Sequence, residues 1–127
     1  MALAVMVVDD EAAICENLAA YLEDEGMQVY TSDSGEAALE RIAAGLPVQV
    51  CIMDLRLPGM NGSEAILAIH ERAPAVRFII HTGSAHDTIL RDLRNRGVEG
   101  IPVFRKPVED MTALVNTVKR LGADSRT

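Results

Sequence analysis

Residues 3–8 read Leu3-Ala4-Val5-Met6-Val7-Val8, an unbroken apolar run that stops at Asp9-Asp10-Glu11. A strand buried on both faces reads this way, because neither side of its pleat meets water. Four more strand-like runs follow at Met27–Thr31, Val48–Met53, Val76–His81 and Ile101–Arg105. Their starts lie 24, 21, 28 and 25 residues apart. Each gap has room for one helix, the connection that parallel strands require.

The gaps carry helical period. Ile14, Leu18, Tyr21 and Leu22 fall on one face of a first helix that Gly26 closes. Ser34-Gly35 opens a second, with Leu39 and Ile42 inward and Gly45 at its end. Asn61-Gly62-Ser63 opens a third, with Ile66 and Ile69 inward, stopping before Pro74. Ser84 or Asp87 caps a fourth that carries Ile89, Leu90 and Leu93 and stops at Gly97. The fifth is expected from Val108 to Leu121, started by Pro107. One domain is expected over 1–121, with 122–127 a short polar tail that frays. The order is (βα)5, an α/β three-layer sandwich around a doubly wound parallel sheet. Right-handed crossovers favour the flavodoxin-like strand order 2-1-3-4-5, with a ligand crevice outside the carboxyl ends of strands 1 and 3.

Composition narrows the function. The chain has 127 residues, 49% of them hydrophobic and 24% charged, with a net charge of −7. That balance suits a globular domain and argues against direct nucleic-acid binding, which needs a basic surface. The first apolar run is too short to span a bilayer and lacks the basic start of a signal peptide, so no membrane contact and a cytoplasmic location are expected. Cys15 and Cys51 stand in apolar surroundings without metal-ligand spacing, as two buried reduced thiols would.

Polar residues punctuate the strand ends. Asp9 and Asp10 follow the first strand, Asp54 the third, Thr82 the fourth and Lys106 the fifth. Parallel strands deliver all of these to one edge of the sheet. Two like charges ~4 Å apart at an effective dielectric of about 20 repel by roughly 4 kcal/mol. A cluster of carboxylates therefore holds a proton or a cation. Oxygen donors in an open cleft suit Mg²⁺, which keeps several waters and shares a phosphate. With Lys106 as a second positive charge and Thr82 as a donor, the parts are those of in-line phosphoryl transfer, and Asp54 is the candidate for an acyl phosphate.

Four motifs carry a resemblance: VMVVDDE at 5–11, CIMDLRLPGMNG at 51–62, IIHTGSA at 79–85 and VFRKPV at 103–108. In this order and spacing the chain resembles the receiver domain of two-component response regulators over essentially its whole length. The resemblance implies that Asp54 is the phosphoacceptor, Asp10 the main Mg²⁺ carboxylate and Asp9 a second that acts through metal-bound water. It implies a metal contact from the Arg56 backbone carbonyl, a hydroxyl at Thr82 that moves toward the phosphoryl group, and Lys106 as that group's partner. Pro58 and Gly62 match the turn after the acceptor strand, and a cis bond is expected at Lys106-Pro107. The implied partners are a sensor histidine kinase or histidine phosphotransfer domain and a downstream output protein or fused output domain. The implied output surface is the fourth helix and fifth strand. Such a domain catalyses only its own phosphorylation and dephosphorylation.

One departure stands out. Receiver domains usually carry an aromatic residue three before the lysine; here that residue is Val103, and Phe104 is its neighbour. Strand alternation places the two on opposite faces. Two other readings stay open. A Mg²⁺-dependent aspartyl-phosphate phosphatase needs an acid near the nucleophile, and Asp54 is followed by Leu55 and Arg56. A phosphorylation-independent interaction module is given room by Val103. His70 is expected on a helix surface and His81 in a local hydrogen bond.

Overall fold

A computed structural model describes residues 2–84 and 86–125. Five strands, β1 (Ala4–Val8), β2 (Gln28–Ser32), β3 (Val50–Met53), β4 (Arg77–Thr82) and β5 (Val103–Arg105), alternate with five helices. These are α1 (Ala12–Asp24), α2 (Gly35–Ala43), α3 (Gly62–Arg72), α4 (Asp87–Asn95) and α5 (Met111–Ser125). The sheet is parallel throughout in the order β2-β1-β3-β4-β5, the flavodoxin-like order expected from the crossover rule.

Residue parity sorts the core into two layers. Met6, Val8, Cys51, Met53, Phe78 and Ile80 face α2, α3 and α4, which bring Ala38, Ile42, Ile66, Ile69 and Leu93. Val5, Val7, Val50, Ile52 and Ile79 face α1 and α5, which bring Leu18, Leu22, Leu114, Val118 and Leu121. All of β1 and β3 is buried, which is why those strands show no polar alternation. Cys51 is fully enclosed, and burial pushes its thiol up to about 12. Cys15 is buried as well. Among the described residues no helix is long and apolar enough to cross a membrane.

Several boundaries differ from the sequence reading. β3 begins at Val50, and β5 spans only Val103–Arg105. Pro102 has no N–H to extend β5 toward Ile101. The last helix starts at Met111, three residues later than Val108, where the Asp110 carboxylate accepts the Ala113 N–H at 3.1 Å. It also runs past Leu121 to Ser125, with Gly122 buried against Leu3, so the expected frayed tail is helical through 125. Neither Ser84 nor Asp87 caps α4: the N-cap is His86, without a side-chain bond. The Lys106-Pro107 bond is cis as expected.

Two contacts fix the loop that leaves β3. Asn61 and Glu64 form a reciprocal capping box at the start of α3. Glu36, in the first turn of α2, accepts the Met60 N–H at 3.1 Å. Gly62 lets α3 approach β3 closely. A Cβ there would overlap the Asp54 carbonyl oxygen and lie 2.7 Å from Leu55 Cα. Both are backbone atoms, so neither yields without moving Asp54. Gly62→Ala is therefore expected to cost about 2 kcal/mol or more, at the upper end of overpacking penalties. A urea midpoint that falls at unchanged slope would report it; an unchanged midpoint would show that the close approach is not needed.

Candidate functional site

The hydrogen-bond ladder continues one residue past the strands and so sets the site. Asp9 N–H donates to Ser32 O at 3.1 Å, Asp54 N–H to Val8 O at 3.0 Å and Lys106 N–H to Thr82 O at 3.0 Å. Each polar residue is thereby held in register with an apolar strand that cannot slip without turning its core face to water.

Asp9, Asp10 and Asp54 each offer a carboxylate oxygen within 4.8 Å of the others. Asp9 and Asp54 are buried, while Asp10 is exposed. The Lys106 ammonium lies 2.7 Å from Asp9 Oδ2 and 3.1 Å from Asp54 Oδ2, with Glu11 Oε1 at 3.8 Å. The remaining Asp9 oxygen accepts the Glu11 N–H at 2.9 Å, and the remaining Asp54 oxygen the Arg56 N–H at 3.2 Å. Burial raises the Asp54 carboxyl above its ordinary range, and the Lys106 and Arg56 bonds offset this in part. Burial also opposes the charge of Lys106, but its bonds to Asp9 and Asp54 outweigh burial and hold the ammonium above the usual lysine value. The cleft, about 500 Å³, is lined by Asp10, Glu11, Asp54, Arg56, Thr82 and Lys106, with Gly83 and Ser84.

All the sequence-predicted site residues therefore meet in or beside one cleft. Thr82 is the last residue of β4 and is buried. Its hydroxyl lies 2.9 Å from Ser84 Oγ and accepts the Ser84 N–H at 3.1 Å. The spacing of a hydroxyl two residues before a backbone donor is the signal for this turn. Arg56 meets Asp54 through its N–H. Sequence reasoning missed Glu36, whose role depends on α2 lying beside the β3–α3 loop. His81 also departs from expectation: its Nε2 is buried and finds no hydrogen-bond partner among the described residues. Alternation places Val103 against the α3/α4 layer and Phe104 against the α1/α5 layer, as the sequence predicts.

The donor set is oxygen-only and opens to solvent at Asp10, which fits a hard divalent cation. An uncompensated trio of carboxylates is unfavourable, and Lys106 supplies only one positive charge.

Known proteins share this arrangement of strands and sequence. The family model described as the response regulator receiver domain matches residues 5–119. Over 110 residues the chain is 31% identical to the signal transduction histidine-protein kinase BarA of Escherichia coli (strain K12), a match covering 87% of this chain and 12% of BarA. Over 122 residues it is 30% identical to the transcriptional regulatory protein FixJ of Azorhizobium caulinodans, covering 94% of this chain and 56% of FixJ. The chain thus spans only part of the length of these relatives. A CheY-like response regulator receiver domain protein from Methanospirillum hungatei JF-1 superimposes with a TM-score of 0.86 at 25% identity, over 99% of this chain and 98% of that one. With the family matched across nearly the whole sheet and the acidic cleft at its carboxyl edge, the chain belongs to the response regulator receiver domains of two-component signalling.

Proposed function

We propose that this receiver domain accepts a phosphoryl group on Asp54 from the phosphohistidine of a partner kinase or phosphotransfer domain. The observation that carries the reading is the Lys106 ammonium, held between Asp9 and Asp54 at 2.7 and 3.1 Å. It places positive charge where a phosphoryl group's negative charge would gather, and a buried cleft makes such an interaction stronger than in water. The Asp54 carboxylate oxygen attacks phosphorus as the donor's N–P bond breaks, and the leaving imidazole takes up a proton. The product is an acyl phosphate with about −2 charge and three strong acceptor oxygens.

Asp10, Asp54, the Arg56 backbone carbonyl and, through water, Asp9 would hold Mg²⁺ there. When bound, the ion supplies charge neutralisation for the phosphoryl oxygens. Thr82 would exchange its Ser84 partner for a phosphoryl oxygen, and Lys106 would keep one of its bonds on the modified carboxyl. The change in the β4–α4 connection would then reach the surface formed by α4 and β5, where an output protein or fused output domain reads it. The domain acts in this reading as a cytoplasmic signalling switch, catalysing only its own phosphorylation and dephosphorylation.

Intact mass after incubation with acetyl phosphate and Mg²⁺ tests the acceptor. The wild type is expected to gain one phosphoryl group and Asp54→Ala none. No gain in either folded protein would reject phosphorylation and favour the phosphorylation-independent interaction module to which Val103 points.

The metal site has its own readout. A ligand at ten times its Kd stabilises the fold by roughly 1.4 kcal/mol. Mg²⁺ is therefore expected to raise the Tm of the wild type and to leave that of Asp10→Ala nearly unchanged. Equal shifts in both proteins would remove Asp10 from the metal site.

A further inference from the structure

The loop between β3 and α3 begins at Asp54 and puts Arg56 on the cleft wall, yet its backbone has few bonds of its own. Among the described residues, none of residues 56–60 takes part in a backbone–backbone hydrogen bond. Pro58 has no N–H to offer, and Gly59 turns the chain at φ +72°. Two carboxylates hold the segment instead. Asp54 Oδ1 accepts the Arg56 N–H at 3.2 Å, and Glu36 Oε2 accepts the Met60 N–H at 3.1 Å. Beyond Met60 the chain is fixed again by the α3 capping box and by Gly62 N–H, which donates to Leu55 O at 3.1 Å.

Phosphorylation would treat these two ties differently. Asp54 is the group that changes, since metal coordination or acyl phosphate formation turns its ionised oxygen into a weaker acceptor for Arg56. Glu36 keeps its chemistry, and its helix is a firm base. Ser34 caps α2, Ala38 and Ile42 are buried in the core, and Arg41 donates to Thr31 O at 2.6 Å and Ser32 Oγ at 3.0 Å. The carboxylate lies close over Gly59, where a Cβ would come 2.5 Å from Oε2. Bonds from the Met60 N–H and its own N–H hold the Glu36 carboxyl below the usual range. An exposed acid in a first helical turn would complement the helix dipole without reaching another element. This one crosses to the loop.

We propose, resting on the reading of Asp54 and the Arg56 carbonyl as metal contacts, that Glu36 is a positioning residue for the metal site: by holding Met60 it keeps the β3–α3 loop, and Arg56 with it, in place while Asp54 changes partners. It acts through the backbone and touches neither the ion nor the phosphoryl group. The reach of its acceptor oxygen is therefore what counts, and its charge is secondary.

Two variants separate reach from charge. Glu36→Gln keeps the length and an acceptor oxygen but loses the charge, whereas Glu36→Asp keeps the charge and is one methylene short. Titration with Mg²⁺, followed by amide NMR, gives a Kd for each folded protein. Glu36→Asp is expected to raise the Kd about tenfold, the low end of the effect of residues that orient metal ligands. Glu36→Gln is expected to stay near the wild-type value. Should Glu36→Asp not fold, Glu36→Ala takes its place, compared with Glu36→Gln, which is equally uncharged. A Kd shared by all the proteins, or one raised by Glu36→Gln and not by Glu36→Asp, would overturn the proposal. The second readout needs no metal: the Arg56 amide resonance is expected to shift in Glu36→Asp and to hold its place in Glu36→Gln. An Arg56 amide indifferent to the shorter side chain would overturn the positioning. Absence of Mg²⁺ binding in the wild type would reject the metal reading alone, and the metal-free Arg56 amide would then decide whether Glu36 holds the loop.

Discussion

A carboxylate at the end of the central strand is tolerable only with a cation against it. Asp54 is 4% exposed, and β3 brings it there behind four fully buried apolar residues. Little water reaches its charge, so Lys106 balances it at 3.1 Å while also holding Asp9 at 2.7 Å. Removing one partner of such a buried pair leaves an uncompensated charge, which costs about 3–5 kcal/mol. The pairing therefore constrains the rest of the fold. It requires β1, β3 and β5 to end at one edge of the sheet, and parallel pairing with helical crossovers achieves this.

The surrounding loops are built to keep that geometry. Gly62 brings the start of α3 against the Asp54 carbonyl, and Glu36 holds Met60 from α2. On the other side the Cys15 thiol donates to the Asp9 carbonyl at 3.3 Å. Two helices, α3 and α1, thus touch the backbone on which the carboxylates stand, and α2 holds the loop that follows Asp54. Their apolar stripes supply the burial that anchors them, at roughly 25 cal/mol per Å² of apolar area removed from water. Rigidity at the cleft is consequently a product of core packing on both faces of the sheet.

The strands and their order were legible because a doubly buried strand has to be written in apolar residues, and β1 and β3 are. The cleft was legible for the same reason: Asp9, Asp54, Thr82 and Lys106 are the polar residues at or just beyond the carboxyl ends of such runs, and pleat parity correctly separated Val103 from Phe104. What escaped reading depends on contacts between elements distant in sequence. Glu36 reaching Met60 is invisible without the α2–α3 neighbourhood. The start of α5 was misplaced because Pro107 is a good first helical residue in general, whereas here Asp110 supplies the cap. Helix α4 was given a side-chain cap because Ser84 and Asp87 suit that role, but Ser84 is engaged by Thr82 instead. His81 gave no signal of its own, since a histidine at the end of an apolar run looks the same whether or not its ring finds a partner.

The Thr82–Ser84 pair shows how such a site could be poised. Thr82 has two bonds to Ser84, one between hydroxyls and one from the backbone N–H. Neutral hydrogen bonds of this kind contribute roughly 1 kcal/mol each in net terms. A bond from a hydroxyl to an ionised phosphoryl oxygen is roughly twice as strong as a neutral one. A phosphoryl group on Asp54 would therefore be a competitive partner for the Thr82 hydroxyl but not an overwhelming one. The two arrangements of the β4–α4 connection would differ by little, and a small difference is what allows a single covalent group to bias a conformational equilibrium. Because Ser84 would give up its partner if Thr82 turned, such a displacement would begin at the Thr82–Ser84 turn. Val103 packs in the core layer that also holds α3 and α4 and has no ring to rotate, so in this reading the displacement would start from Thr82 and Ser84 rather than from β5.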